Sequence, residues 1–165
     1  MRRFLVLVAG LIAFAGVTTG PQAQSSSAAA PKDQVLFVCQ HGNVKSLMAA
    51  SYFNQEAEKL GLPYRAVARG VALDSTTVPE PIAEGLRADG VDVSGFHPAE
   101  VRASETAASA RVVTIGATLP PEAQKAAGAR IEQWNDVPPA SENFAGARDA
   151  IKAHVQLLIE KLDKH

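Results

Sequence analysis

The segment Val35-Leu36-Phe37-Val38-Cys39-Gln40-His41-Gly42-Asn43-Val44-Lys45-Ser46, running on into Leu47-Met48-Ala49-Ala50, constrains the fold of this chain more than any other. A short apolar run rich in β-branched residues reads as a buried strand. It ends in the only cysteine of the sequence. Six residues, one of them glycine, separate Cys39 from Ser46, where a helix-forming stretch opens. Strand, tight loop and helix N-terminus together form an anion-binding device, because the N–H groups of the loop and first helical turn have no internal partners. The same dipoles favour negative charge on a sulfur at the mouth of the loop, which is what a nucleophile needs.

The remainder of the chain fits one α/β domain. Met1-Arg2-Arg3 is a short basic start, Phe4 to Val17 is apolar and uncharged, and Thr18 to Ala30 is rich in small residues. That order is the order of a secretory signal. The apolar core is shorter than the roughly 20 residues of a spanning helix, so a membrane anchor is the lesser reading. Residues 1–23 are therefore expected to be a signal peptide, with cleavage anywhere from 23 to 30. Residues 24–33 form a linker and 34–165 the domain. The expected location is periplasmic or secreted. Charge is balanced, with 16 Lys+Arg against 17 Asp+Glu. No basic run stands out, so neither nucleic acid nor, once the signal is removed, a membrane is an expected partner. A single cysteine excludes an intrachain disulfide and a cysteine zinc cluster.

Beyond Ser46, Met48/Ala49, Tyr52/Phe53, Ala57 and Leu60 recur at helical spacing, and Gly61 with Pro63 ends that helix. Residues 64–71 read as a second strand. Pro79 opens a helix that Gly90 stops. Residues 98–108 read as a further helical piece, 111–116 as a buried strand, 120–128 as a short helix and 129–134 as the last strand. The longest helix runs from Asn143 to Lys161, with an apolar stripe through Phe144, Ala147, Ile151, Val155, Leu158 and Leu162. Alternating strands and helices imply a three-layer α/β fold on a four-stranded parallel sheet, with the active site beyond the strands' carboxyl ends.

This pattern resembles the low-molecular-weight protein tyrosine phosphatase family, which also includes the thioredoxin-coupled arsenate reductases. Val35 to Ala50 is similar to that family's first strand, phosphate loop and first helix. Pro79 to Ser94 is similar to its second helix and the turn after it. Val112-Val113-Thr114-Ile115 is similar to its third strand, and Trp134 with the loop and long helix behind it also falls in order. The resemblance implies a Cys-dependent phosphatase that needs no cofactor and acts on a phosphorylated small molecule or phosphoprotein, including protein phosphotyrosine. Cys39 would attack phosphorus. The backbone N–H groups of Gln40, His41, Gly42, Asn43, Val44 and Lys45 would cradle the phosphate oxygens. Ser46 would hydrogen-bond the thiolate. Gly42 supplies a position where positive φ costs nothing. His41 either orients the loop or faces solvent.

Four departures from the family pattern keep other functions open. The family has arginine where Lys45 stands, and lysine brings the charge without the planar fork that grips two oxygens. The family's general acid lies in an Asp-Pro pair, whereas here Pro138-Pro139 occupies that point and Asp136 precedes it. Asp136 is the candidate acid, or else an aspartate in a turn. The tyrosines that flank a phosphotyrosine ring are replaced by Ala140-Ser141-Glu142-Asn143, and Trp134 either walls the pocket or lies in the core. With Cys39 alone, the disulfide relay of an arsenate reductase would need an external thiol. A weakened oxyanion-binding module is therefore the alternative function, and a thiol-dependent arsenate reductase the third. A nucleotide P-loop is not supported, since Lys45-Ser46 lacks both required glycines.

Overall fold

In the computed structural model the described residues are 33–164, so the expected signal peptide and nearly all of the linker lie outside them. The elements follow in the order β1 (Gln34–Cys39), α1 (Lys45–Lys59), β2 (Arg65–Gly70), α2 (Glu80–Ala88), α3 (Ala103–Ala108), β3 (Arg111–Ile115), α4 (Pro121–Ala127), β4 (Ile131–Trp134) and α5 (Phe144–Asp163). The four strands make one sheet in the order β2-β1-β3-β4, and every neighbouring pair is parallel. This is the three-layer α/β fold expected from the sequence.

Alternation along β1 builds the layers. Val35, Phe37 and Cys39 face one apolar cluster, which includes Met48 and Phe53 of α1 and Ile151 and Leu158 of α5. Leu36 and Val38 face a second cluster with Val112, and with Ala123 and Ala127 of α4. A strand buried on both faces has to be apolar at every position, which is why β1 reads as an unbroken hydrophobic run. Phe37 anchors the larger cluster, with ring centroids 5.9 Å from Phe53 and 5.4 Å from Trp134. On the other face Arg130 draws the ends of α3 and α4 together. Its guanidinium donates to the carbonyls of Ala107, Ser109, Ala126 and Ala127, which the helices leave unsatisfied.

Helix ends fall where the local chemistry places them. Gly61 and Gly90 take positive φ just past α1 and α2, and Asn143 caps α5 by accepting from Gly146 N–H at 2.8 Å. Three details differ from the sequence expectation. The helical piece over 98–108 begins only at Ala103. Gly70 N–H donates to Ala99 O and Gly70 O accepts from Val101 N–H, both at 2.9 Å, so the end of β2 claims the backbone of 99–101. A single 3₁₀ turn over Gly128–Arg130 delays β4 to Ile131. Leu60 is not part of the buried stripe of α1 but is 57% exposed. Among the described residues no helix is long and apolar enough to cross a membrane.

One ion pair ties β4 to α5 and gives a testable pH dependence. Glu132 accepts from Trp134 Nε1 and from Lys161 Nζ, both at 3.0 Å. Partial burial pushes its carboxyl up, but these two hydrogen bonds together with the charges of Lys161 and Arg111 outweigh the burial and hold it below the usual glutamate range. A carboxyl lowered on folding contributes stability that is present above its unfolded value and is lost as pH falls through the folded one. Glu132→Gln is expected to lower stability by about 1 kcal/mol near neutral pH, with the difference vanishing in acid. Thermal melts of both proteins across the acid range check this; a constant offset at every pH would contradict it.

Candidate active site

The loop between β1 and α1 is fastened from beneath. Val71 N–H donates to Cys39 O and Gln40 O, both at 3.0 Å, and Ala72 N–H donates to Gln40 O at 2.9 Å. Gly42 adopts φ +78° where the loop crosses the end of β2, and a Cβ there would lie 2.6 Å from Gly70 N. Two glycines thus allow two backbones to touch. Asn43 is 3% exposed, and its Nδ2 donates to Thr77 O at 2.9 Å, pinning the chain that follows β2. α1 begins at Lys45 without a side-chain cap and without an acidic residue in its first turn. The N–H groups of that turn therefore remain available to an anion.

Cys39 and Ser46 face each other across this loop. Cys39 Sγ accepts from Gly42 N–H at 3.3 Å and lies 3.1 Å from Ser46 Oγ. Ser46 is fully buried, so its hydroxyl is held to the sulfur and away from water. Donors aimed at a sulfur stabilise its anionic form and the same sulfur as a leaving group.

The sulfur opens on a cavity of about 230 Å³. Gln40, His41, Val44 and Lys45 form its wall on the loop side; Ile115 and Gly116, at the end of β3, form another; Pro139, Ala140 and Ser141 close it from the segment after β4. No carboxylate is among these groups. Gly116 has φ +59°, and a Cβ on it would stand 2.9 Å from Lys45 Nζ, so the absence of a side chain there makes room for the ammonium. His41 Nδ1 lies 3.2 Å from Asp74 Oδ2 at the rim.

The structure therefore brings Cys39, Gln40, His41, Val44, Lys45 and Ser46 together, with Gly42 supplying an N–H to the sulfur. Asn43 is beside them but its side chain serves as a strut. Asp136 is not brought in. Its carboxylate is exposed and bonded to His154 Nε2 at 2.8 Å, and this hydrogen bond holds it below the usual aspartate range. His154 in turn stacks on Trp134, ring centroids 4.7 Å apart. Trp134 is 1% exposed and belongs to the core, not to the cavity wall. Ala140 and Ser141, which stand where the family's ring-flanking tyrosines do, line the cavity together with Pro139, whereas Gly116 and Asp74 were not singled out in the sequence. Gly116 was the more accessible of the two, being a glycine immediately beyond the carboxyl end of a buried strand. Among the described residues no cluster of His, Cys, Asp and Glu is arranged to hold a metal ion.

Comparison with known proteins fits this geometry. Residues 34–137 match the family model of the low molecular weight phosphotyrosine protein phosphatases. Among solved structures, YfkJ from Bacillus subtilis superposes with a TM-score of 0.70 at 23% identity, covering 79% of this chain and 94% of that one. The low molecular weight protein tyrosine phosphatase from T. tengcongensis gives a TM-score of 0.65 at 21% identity, covering 78% and 98%. The thioredoxin-dependent arsenate reductase of Corynebacterium glutamicum gives 0.63 at 21% identity, covering 82% and 64%. At these identities the likeness speaks for the fold. No curated protein sequence matches significantly.

Proposed function

The chain belongs to the low molecular weight phosphotyrosine protein phosphatase family, and from that premise we propose that it hydrolyses a phosphomonoester through a phosphocysteine intermediate. Cys-based, phosphatase-like chemistry is common to the family match and the cavity. Its principal support is the placement of Cys39 Sγ between Gly42 N–H and Ser46 Oγ at the floor of a cavity that also holds the Lys45 ammonium.

The chemistry follows from those positions. A phosphoryl group entering the cavity meets the N–H groups of the loop and of the first turn of α1, which neutralise its oxygens without reorganisation. Cys39 thiolate attacks phosphorus, and the Ser46 hydroxyl stabilises the sulfur when it leaves. Lys45 supplies a point charge beside Gly116 rather than a two-oxygen fork. The small wall of Pro139, Ala140 and Ser141 offers no aromatic face, which favours a substrate held chiefly through its phosphoryl group. Arsenate reduction is disfavoured because Cys39 has no second thiol in the chain. The basic-apolar-small start of the sequence supports export, so the substrate would be met outside the cytoplasm.

Rapid-quench mass spectrometry on the purified protein mixed with an aryl phosphate tests the route. A phosphoryl group on the Cys39 peptide within the first turnover is the expected result. Inorganic phosphate binding without any transfer to Cys39 would reduce the protein to an oxyanion-binding module.

A further inference from the structure

A dianionic phosphomonoester with an ordinary alcohol as leaving group needs a proton at the departing oxygen. No carboxylate lines the cavity, and Asp136 is occupied by His154. The titratable side chains on the lining are Cys39, which is the nucleophile, Lys45, which serves as countercharge, and His41. His41 comes from the loop itself, and its Nδ1 faces Asp74 Oδ2, at 3.2 Å, from the chain that follows β2. An imidazole held through Nδ1 by a carboxylate has its tautomer and ring plane set, and Nε2 is the nitrogen left to exchange a proton. Both members are about half exposed, at 47% and 58%, so the pair contributes little to stability as a surface ion pair. That exposure at the cavity rim is what a group meeting the leaving oxygen requires.

The geometry points to His41 as the catalytic acid–base of this site, with Asp74 as its positioning residue; this rests on the phosphatase reading above. In the first step the S–P bond forms and the bond from phosphorus to the leaving oxygen breaks. The proton on His41 Nε2 goes to that oxygen, and the alcohol departs. In the second step a water oxygen bonds to phosphorus and the S–P bond breaks with its electron pair returning to Cys39. The water proton goes to His41 Nε2, which restores the starting state. The charged and titratable groups around His41 are Asp74 from the β2–α2 connection and, on the same cavity lining, Lys45 and Cys39. The histidine thus takes the role for which Asp136 was the candidate in the sequence.

The test compares kcat/KM of the full-length protein on two aryl phosphates, since this ratio reports steps through phosphoryl transfer. With phenyl phosphate, whose leaving group needs the proton, His41→Asn is expected to lose about 10²-fold to 10⁴-fold. With 4-nitrophenyl phosphate, whose leaving group departs readily unprotonated, the loss shrinks to about tenfold or less. Asp74→Asn should lower the phenyl phosphate rate by less than His41→Asn, and again by more on phenyl phosphate than on 4-nitrophenyl phosphate. An equal loss on both substrates in His41→Asn would make the pair a loop strut and overturn the assignment. So would a leaving-group-dependent loss appearing in Asp136→Asn in its place. Wild-type protein that never phosphorylates Cys39 would overturn the phosphatase reading and this assignment together, whereas Cys39-dependent turnover with uniform losses overturns this assignment alone.

Discussion

Cys39→Ser is expected to abolish turnover of an aryl phosphate, by on the order of 10⁴-fold or more, while leaving the fold in place. The substitution changes one atom in a side chain that is 3% exposed, and serine is close in volume. Gly42 N–H and Ser46 Oγ would still find an acceptor at that position. What is lost is ionisation. A thiol is intrinsically far more acidic and more nucleophilic than an alcohol, and a serine at this place would have to lose its proton while His41 already carries the one needed by the leaving oxygen. The loss should fall on the chemical step and not on binding, because the N–H groups that hold the phosphoryl oxygens are untouched. Inorganic phosphate should therefore bind Cys39→Ser about as well as the parent in calorimetry, and thermal melts should nearly coincide. Retention of full activity in this variant would remove Cys39 from the mechanism.

The parts of the site that could be read from the sequence are those built from contiguous residues. Strand end, cysteine, positive-φ glycine and helix start all lie between Cys39 and Ser46, so local rules alone place Cys39, Lys45 and Ser46 around one anion. The sheet was legible for a similar reason, since β1 and β3 are buried on both faces and announce it by apolar runs, broken in β3 only by Thr114 after its first residue. The choice between acid and turn aspartate at Asp136 was not legible because its orientation is set by His154, which is eighteen positions away on α5. Nothing in Asn135-Asp136-Val137-Pro138-Pro139 tells which way the carboxylate turns. The same applies to Asn43, whose side chain could have faced the ligand but instead meets Thr77 O. The stretch Ala99-Glu100-Val101-Arg102 could extend the Ala/Ser-rich helix that follows it, yet the unpaired backbone at the end of β2 outcompetes it at 99–101. Trp134 is a strand-end aromatic that resolves to core because Phe37 and His154 cover its ring. Tertiary contacts decide each of these, and a single sequence does not carry them.

The largest stability loss from a minimal change is expected at Gly42→Ala. Its φ of +78° puts a non-glycine residue in the left-handed region, which costs about 1–2 kcal/mol. The added methyl would also stand 2.6 Å from Gly70 N, 2.9 Å from Gly70 Cα and 3.0 Å from the carbonyl carbon of Arg69. These are backbone atoms of β2, which parallel pairing with β1 holds in register at Cys39↔Gly70, so they cannot step aside as a flexible side chain would. Overpacking of this kind adds about 1–3 kcal/mol. Gly61→Ala is the natural control: Gly61 has φ +66°, and an added methyl there would meet nothing within 4 Å, so it reports left-handed strain alone. Gly42→Ala should therefore lower the denaturation midpoint clearly more than Gly61→Ala. It should also impair catalysis in protein that is still folded, because relieving the clash shifts the N–H that reaches Cys39 Sγ and the cradle beside it. Denaturant melts and kcat/KM below the melting range separate the two effects. Equal destabilisation of the two variants, with full activity in Gly42→Ala, would mean that the contact between the loop and β2 is slack and that the cradle does not depend on it.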